Sequence, residues 1–304
     1  KELPALIIAE VGVNHNGSLD IGYELIDKAA EAGADVVKFQ TYKASQITTK
    51  KAERYWDSSL NTDDGGTQFD TFSKLDSMDL EGFKLLKKRC EEKGVIFTST
   101  PFNLPDVKIL ENVGVDMYKI SSSDITYTDL LVSVGEKGKP IVLSTGCSSI
   151  GEIDNAISTI KNTGNNNLIL QHCILEYPCE DENANLVKMQ RIQKAFPDIP
   201  VGYSDHSIGS EAASISVSLG VRIIEKHFTL NRTWKGTDQV FSLTPEGMRK
   251  MIRDLKRTKQ AFGSSEKKLL DCEKQYLYKL KKSIKVIDNI SKGTVIKRQH
   301  LCFK

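Results

Sequence analysis

His206 and His227 each close a short apolar run, 199–203 and 221–224, with one helix-length segment between them. Such a layout delivers two imidazoles from successive parallel strands to the same rim of a sheet. Two neutral imidazoles with carboxylates at hand, here Asp205 and Glu225, suit a divalent transition metal that keeps open coordination positions. Taken singly, each histidine is better read as a strand-end residue hydrogen-bonded to its neighbours. The pair gains its meaning from what stands at the other strand ends.

Glu10 ends the first apolar run and is followed by Asn14-His15-Asn16-Gly17; Lys38 and Gln40 mark the second. Thr98-Ser99-Thr100-Pro101 follows the third, Lys119 and Ser121-Ser122-Ser123-Asp124 the fourth, and Ser144-Thr145-Gly146 the fifth. Gln171, His172 and later Tyr177 follow the sixth, while Ser204 and Glu225 precede the two histidines. Ammonium groups supply charge, and hydroxyls and loop N–H groups supply directed donors, which is what a phosphate and a carboxylate require. A turn or helix cap accounts for any single Ser or Thr, and Lys38 alone could snorkel. Two lysines inside apolar runs are different, because an unpaired buried ammonium is expensive. The rim points to a small, phosphorylated, anionic substrate beside a metal, with water and a substrate oxygen completing the metal's shell. That metal would act as a Lewis acid on a carbonyl, and carbon–carbon bond formation onto an aldehyde fits better than hydrolysis.

The elements that must carry these residues follow from periodicity. Strand-like runs at 6–9, 36–39, 95–97, 117–120, 141–143, 168–170, 199–203 and 221–224 alternate with amphipathic stretches at 20–32, 80–93, 105–112, 151–162, 187–196, 211–219 and 245–262. Several stretches end in glycine (Gly33, Gly94, Gly114, Gly138, Gly220), the expected helix stop. Eight β–α units with almost wholly apolar strands predict an α/β fold, a closed (β/α)8 TIM barrel over 1–265. A doubly wound open sheet is the alternative, weakened because no G-x-G-x-x-G follows the first strand. Residues 41–79 form a long polar connection containing Asp63-Asp64-Gly65-Gly66, Trp56 and Phe69, the character of a lid or dimer contact. A linker is expected over 266–282. Strand-like alternation at 283–287 and 294–296 then predicts the start of a small second domain, 283–304, that ends incomplete.

Bulk properties narrow the class. The apolar stretch 3–13 contains Glu10 and is too short to span a bilayer. The chain starts at Lys1 and shows neither a basic leader nor a cleavage pattern, so no signal peptide is expected. Six cysteines without a C-x-x-C pair read as reduced thiols, and the expectation is a cytoplasmic protein. Net charge is +2, yet residues 267–304 carry eleven Lys/Arg against three Asp/Glu. No nucleic-acid motif accompanies this basic tail, so neither nucleic acid nor membrane is expected as a partner.

Ile7-Ile8-Ala9-Glu10-Val11-Gly12-Val13-Asn14-His15-Asn16-Gly17 resembles the opening of the sialic acid synthase family, the phosphoenolpyruvate-dependent nonulosonate synthases. So do Gly33-Ala34-Asp35-Val36-Val37-Lys38-Phe39-Gln40, Ser99-Thr100-Pro101-Phe102, Leu143-Ser144-Thr145-Gly146 and the tracts 202–209 and 225–229, in the family's order. The resemblance implies a barrel followed by an antifreeze-like (SAF) domain, and a domain-swapped homodimer. It implies condensation of phosphoenolpyruvate with N-acetylmannosamine or a related N-acyl hexosamine, with water consumed and phosphate released by C–O cleavage. By position, His206 and His227 are the implied ligands of a divalent metal, manganese first, with magnesium or cobalt as alternatives. Lys38, Thr100, Lys119, Ser122, Ser144 and Ser204 are implied for phosphoenolpyruvate, and Gln40, Tyr177 and Asp238 for sugar and water. Glu10, Glu225 and Lys38 are the catalytic candidates, with proton handling expected of one of the glutamates.

Three departures accompany the resemblance. Cys173-Ile174-Leu175-Glu176-Tyr177-Pro178 has two apolar residues where the family has Thr and a small polar residue, so altered contacts at the sugar or a repacked loop are expected. Ser121-Ser122-Ser123-Asp124 replaces the family's Gly-Ser-Gly-Glu and shortens the carboxylate by a methylene. The family's sugar-contacting arginine lies in an Arg-Pro-Gly loop beyond Lys304. Thr233-Trp234-Lys235-Gly236-Thr237-Asp238 is similar to synthases that use a 6-phosphorylated sugar, so a 9-phosphate product stays open beside legionaminic and pseudaminic acid. A sugar-binding barrel without catalysis is the reading from a different class.

Overall fold

Along each strand, successive side chains point to opposite faces with the period of two that an extended backbone imposes. The computed structural model describes residues 5–56 and 65–304. Its eight parallel strands are β1 (Leu6–Gly12), β2 (Val36–Thr41), β3 (Ile96–Pro101), β4 (Tyr118–Ile120), β5 (Ile141–Ser144), β6 (Leu168–Cys173), β7 (Val201–Asp205) and β8 (Ile223–His227). They form one sheet in the order β3-β2-β1-β8-β7-β6-β5-β4. The edge strands meet where Thr98 Oγ1 donates to the Met117 carbonyl at 2.8 Å, which closes the (β/α)8 barrel. Several strands run further toward the rim than their apolar runs; β6 continues through Gln171, His172 and Cys173. A ladder needs backbone pairing and not apolar side chains, provided the polar ones find partners.

Helices α1 (Leu19–Ala32), α4 (Leu80–Lys93), α5 (Leu104–Val113), α6 (Thr128–Gly135), α7 (Ile150–Asn162), α8 (Lys188–Ala195), α9 (Glu211–Ser218) and α10 (Pro245–Phe262) pack outside the strands. Helix α6 was missing from the amphipathic reading because its Leu-Leu-Val cluster shows little polar contrast. Ser18 caps α1 through the Ile21 N–H, and Gly33 ends it at φ 97°, a left-handed conformation that glycine adopts without penalty. The large core lies between strands and helices. A second apolar cluster, Ile8, Val36, Met117, Val142 and Ile223, plugs the barrel interior below the polar rim. The connection 41–79 holds two short helices, α2 (Ala44–Ile47) and α3 (Gln68–Leu75), so it is not a structureless loop. The part of that connection at 57–64, including Asp63 and Asp64, lies outside the described residues.

The chain divides into two units, one ending at Phe262 and the other Gly263–Lys304. The second contains α11 (Asp271–Leu280) where a linker was expected; Glu273, Lys274, Gln275, Leu277, Lys279 and Leu280 are good helix formers. Strand β9 (Ile284–Val286) pairs antiparallel with β10 (Leu301–Phe303), placing Leu301 opposite Val286. The expected strand at 294–296 does not form: Thr294 N–H closes a turn on Ser291 O, and the pairing edge of β9 is taken by β10. Among the described residues, no helix is long and apolar enough to cross a membrane.

Candidate active site

The alternation that turns Ile8, Val36, Met117, Val142 and Ile223 into the barrel interior turns Glu10, Lys38, Lys119, Ser144 and Glu225 to the same side two residues later. These side chains open into a cavity of about 720 Å³ at the C-terminal ends of the strands. The wall also carries Gln40, Thr100, Ser122, Tyr177, Ser204, His206, His227 and Asp238, so all thirteen residues singled out from the sequence share one cavity.

Four buried charges span its floor. Lys38 Nζ lies 2.8 Å from Glu10 Oε2 and 3.6 Å from Glu225 Oε1, and it donates to Thr100 Oγ1 at 3.0 Å. Lys119 Nζ reaches both carboxylate oxygens of Glu225 at 2.8 Å. Ser204 Oγ donates to Glu225 at 3.3 Å, and Gln40 Nε2 to Glu10 at 3.1 Å. The two glutamates are held apart in acidity. Burial pushes the Glu10 carboxyl up to about 7 against the pull of Lys38. Burial also opposes ionisation of Glu225, but Lys119 and Lys38 together outweigh it and hold that carboxyl at about 2. Glu10 can therefore exchange a proton near neutrality, and Glu225 stays anionic. Burial lowers the pKa of Lys119; for Lys38 the two carboxylates override the same penalty and raise it.

The imidazoles stand together, their ring centroids 5.4 Å apart. His206 Nδ1 lies 2.7 Å from the Ile174 carbonyl, which can only accept, so Nδ1 carries the proton and Nε2 is left with its lone pair. Burial holds the His206 pKa at about 4 and that of His227 well below its usual value, so both rings are neutral. His227 Nδ1 lies 3.4 Å from Asp238 Oδ2 and is buried without a hydrogen bond. Burial pushes the Asp238 carboxyl up to about 6. Two neutral imidazoles, one with an orphaned buried nitrogen, fit a cation; among the described residues no third His, Cys, Asp or Glu joins them as a ligand group. Tyr177 packs on His206 with centroids 4.1 Å apart, and Phe241 on His227 at 4.9 Å. Phe241 escaped the sequence reading because it sits in an irregular segment after the last strand.

Other residues fall elsewhere than expected. Asp205 is not beside the imidazoles: it points to the outer face of β7 and pairs with Lys226 at 2.9 Å. His15 accepts from the Gly17 N–H and Asn14 donates to the Phe228 carbonyl, both as scaffold bonds behind the rim. Ile174 contributes its carbonyl, and of the two apolar replacements Leu175 lines the cavity. Leu175 packs near Gly146, where a Cβ would stand 3.1 Å from its Cγ and 2.9 Å from Ser122 Oγ. That places Leu175 near Ser122, one of the hydroxyls of the rim. Ser122 Oγ itself accepts from the Gly146 N–H at 2.9 Å, and Ser144 Oγ donates to Gln171 at 3.4 Å.

Paired lysines, carboxylates and imidazoles gathered at the C-terminal rim of a (β/α)8 barrel are the layout of a barrel enzyme. The chain belongs to the NeuB family, whose model matches residues 25–267. It is 36% identical to N,N'-diacetyllegionaminic acid synthase of Campylobacter jejuni over 301 residues, 98% of this chain and 90% of that one. It is 33% identical to human N-acetylneuraminate-9-phosphate synthase over 302 residues, 99% and 83% of the two chains. The N-acetylneuraminic acid (sialic acid) synthetase of Leptospira borgpetersenii superposes with a TM-score of 0.78 at 32% identity, covering 91% of each chain. The protein is an enzyme of the NeuB type.

Proposed function

We propose that this protein condenses phosphoenolpyruvate with the open-chain aldehyde of an N-acyl hexosamine such as N-acetylmannosamine, in the cytoplasm and as a homodimer. The observation that carries the reading is a single cavity lined both by buried Lys38 and Lys119 and by neutral His206 and His227. The lysines, with Thr100, Ser122, Ser144 and Ser204, bind the phosphate and carboxylate of phosphoenolpyruvate. A divalent cation, manganese in the first instance, would be held by His206 and His227 and supplies Lewis acidity toward a carbonyl oxygen. Tyr177, Gln40 and Asp238 orient the sugar so that its aldehyde carbon faces C3 of phosphoenolpyruvate. The C3–C1 bond forms, the aldehyde oxygen becomes a hydroxyl, and water adds at C2. Glu10 takes one proton from that water and passes it to the aldehyde-derived oxygen, and the water's second proton leaves with the phosphate as C2 becomes a carbonyl. The C2–O bond to phosphorus then breaks, releasing inorganic phosphate and leaving a nine-carbon 2-keto acid. Glu225 stays ionised and neutralises Lys119 throughout.

Phosphate release measured across N-acyl hexosamines, with and without a 6-phosphate, tests the reading and separates neuraminate, legionaminate, pseudaminate and 9-phosphate products. Release should be lost with a chelator and restored by manganese. Glu10→Gln should slow it by about 10²–10⁴-fold; unaltered turnover removes Glu10 from proton handling. Sugar binding with no release from any hexosamine would favour the non-catalytic barrel.

A further inference from the structure

The residues next to the two imidazoles in sequence face the other way and are joined to each other. Asp205 and Lys226 are directly opposed in the β7–β8 register, fully buried, with Lys226 Nζ 2.9 Å from Asp205 Oδ2. Lys226 Nζ also donates to the Ser207 carbonyl. Asp205 Oδ1 accepts from the Ser207 N–H at 2.9 Å, from Ser207 Oγ at 2.7 Å and from the Tyr203 hydroxyl at 3.2 Å. Residues on both sides of His206 are thus tied to the residue preceding His227.

We propose that the buried Asp205–Lys226 pair is a positioning clamp that sets the two imidazoles relative to each other for cation binding; this rests on reading His206 and His227 as metal ligands. A buried ion pair adds little net stability, since apolar side chains of equal volume fill such a space as well. What it adds is direction. Lys226 on β8 reaches two groups of the β7 segment, Asp205 and the Ser207 carbonyl, so a slide or twist of β7 against β8 would break both charge-assisted bonds at once. The imidazoles leave the opposite face of the same two strands one residue away, and the alternation of an extended backbone carries any such slide directly to their ring nitrogens. The position of a ligand is commonly set by groups that never touch the ion.

Removing one partner strands a buried charge, so the test uses the double variant Asp205→Asn/Lys226→Met alongside Lys226→Arg. Thermal midpoint and circular dichroism establish folding. Manganese alone is titrated by calorimetry, phosphoenolpyruvate is titrated without metal, and histidine ¹⁵N spectra of the metal-free protein report the ring environments. In the folded double variant, manganese affinity should fall about tenfold or more. Phosphoenolpyruvate affinity should stay within about twofold, the size of a minor perturbation, and the His206 and His227 ring signals should shift or broaden. Lys226→Arg, which keeps the charge, should recover most of the manganese affinity. Unchanged ring signals with unchanged manganese affinity overturn the clamp, as does a parallel loss of both ligands. A wild-type protein that takes up no manganese, while the variant's ring signals still move, leaves the clamp standing and overturns the metal reading of the site.

Discussion

Lys119 on β4 reaches across the barrel mouth to Glu225 on β8, its Nζ 2.8 Å from both carboxylate oxygens. Both side chains are buried, and Lys38 approaches the same carboxylate at 3.6 Å. One anion thereby holds two ammonium groups together on the floor of the cavity.

Stability and activity should therefore separate at this pair. Lys119→Met leaves a buried carboxylate short of a partner and should cost about 3–5 kcal/mol in urea denaturation. Lys119→Met/Glu225→Gln should regain most of that stability while phosphate release stays abolished. If the double variant is no more stable than the single one, the two charges are not compensating each other.

Leu175 stands near Ser122 and Gly146, on the side assigned to phosphoenolpyruvate. Leu175→Ser should shift KM for phosphoenolpyruvate by about tenfold, since a hydrogen bond to a charged group is worth about 1.5 kcal/mol, and leave KM for the hexosamine nearly unchanged. A change confined to the hexosamine would return Leu175 to the sugar side.

His15 is buried as a neutral ring accepting from the Gly17 N–H, and burial holds its pKa at about 4 against an ordinary 6.5. Between those values the unfolded chain binds a proton that the folded one does not. The stabilisation is complete above about pH 6.5 and is lost as pH falls toward 4, about 3 kcal/mol in all. In His15→Asn the urea midpoint should fall less steeply between pH 6.5 and 4.5 than in the unmodified protein. Parallel slopes would show that His15 is not the group being titrated.

Two glycines should respond with opposite signs. A Cβ at Gly202 would stand 2.8 Å from the Ile223 carbonyl oxygen and 3.1 Å from Gln171 Cγ, so Gly202→Ala should destabilise by about 1–3 kcal/mol. At Gly151, near the start of α7, the nearest atom is 3.9 Å away, and alanine should stabilise by about 0.5–1 kcal/mol. Thermal midpoints read both; equal shifts would mean that crowding at the β7–β8 seam is not the cause.

The sequence by itself determined the barrel and the rim. Apolar runs separated by capped amphipathic stretches leave few other ways to bury eight strands, and the period of two says which residue of each strand faces inward. That is why Glu10, Lys38, Lys119, Ser144, Ser204, Glu225 and the two histidines could be named before any coordinates. The tertiary structure decided which of those charges neutralise one another. Glu10 and Glu225 are the same residue type at the same depth, yet burial and the Glu225 charge raise Glu10, while contact with Lys119 and the nearby Lys38 lower Glu225. It also decided that Asp205 belongs with Lys226 behind the strands, that Phe241 closes over His227, and that Leu175 faces the hydroxyls. Each of these depends on distances between residues far apart in the chain, which local spacing does not encode.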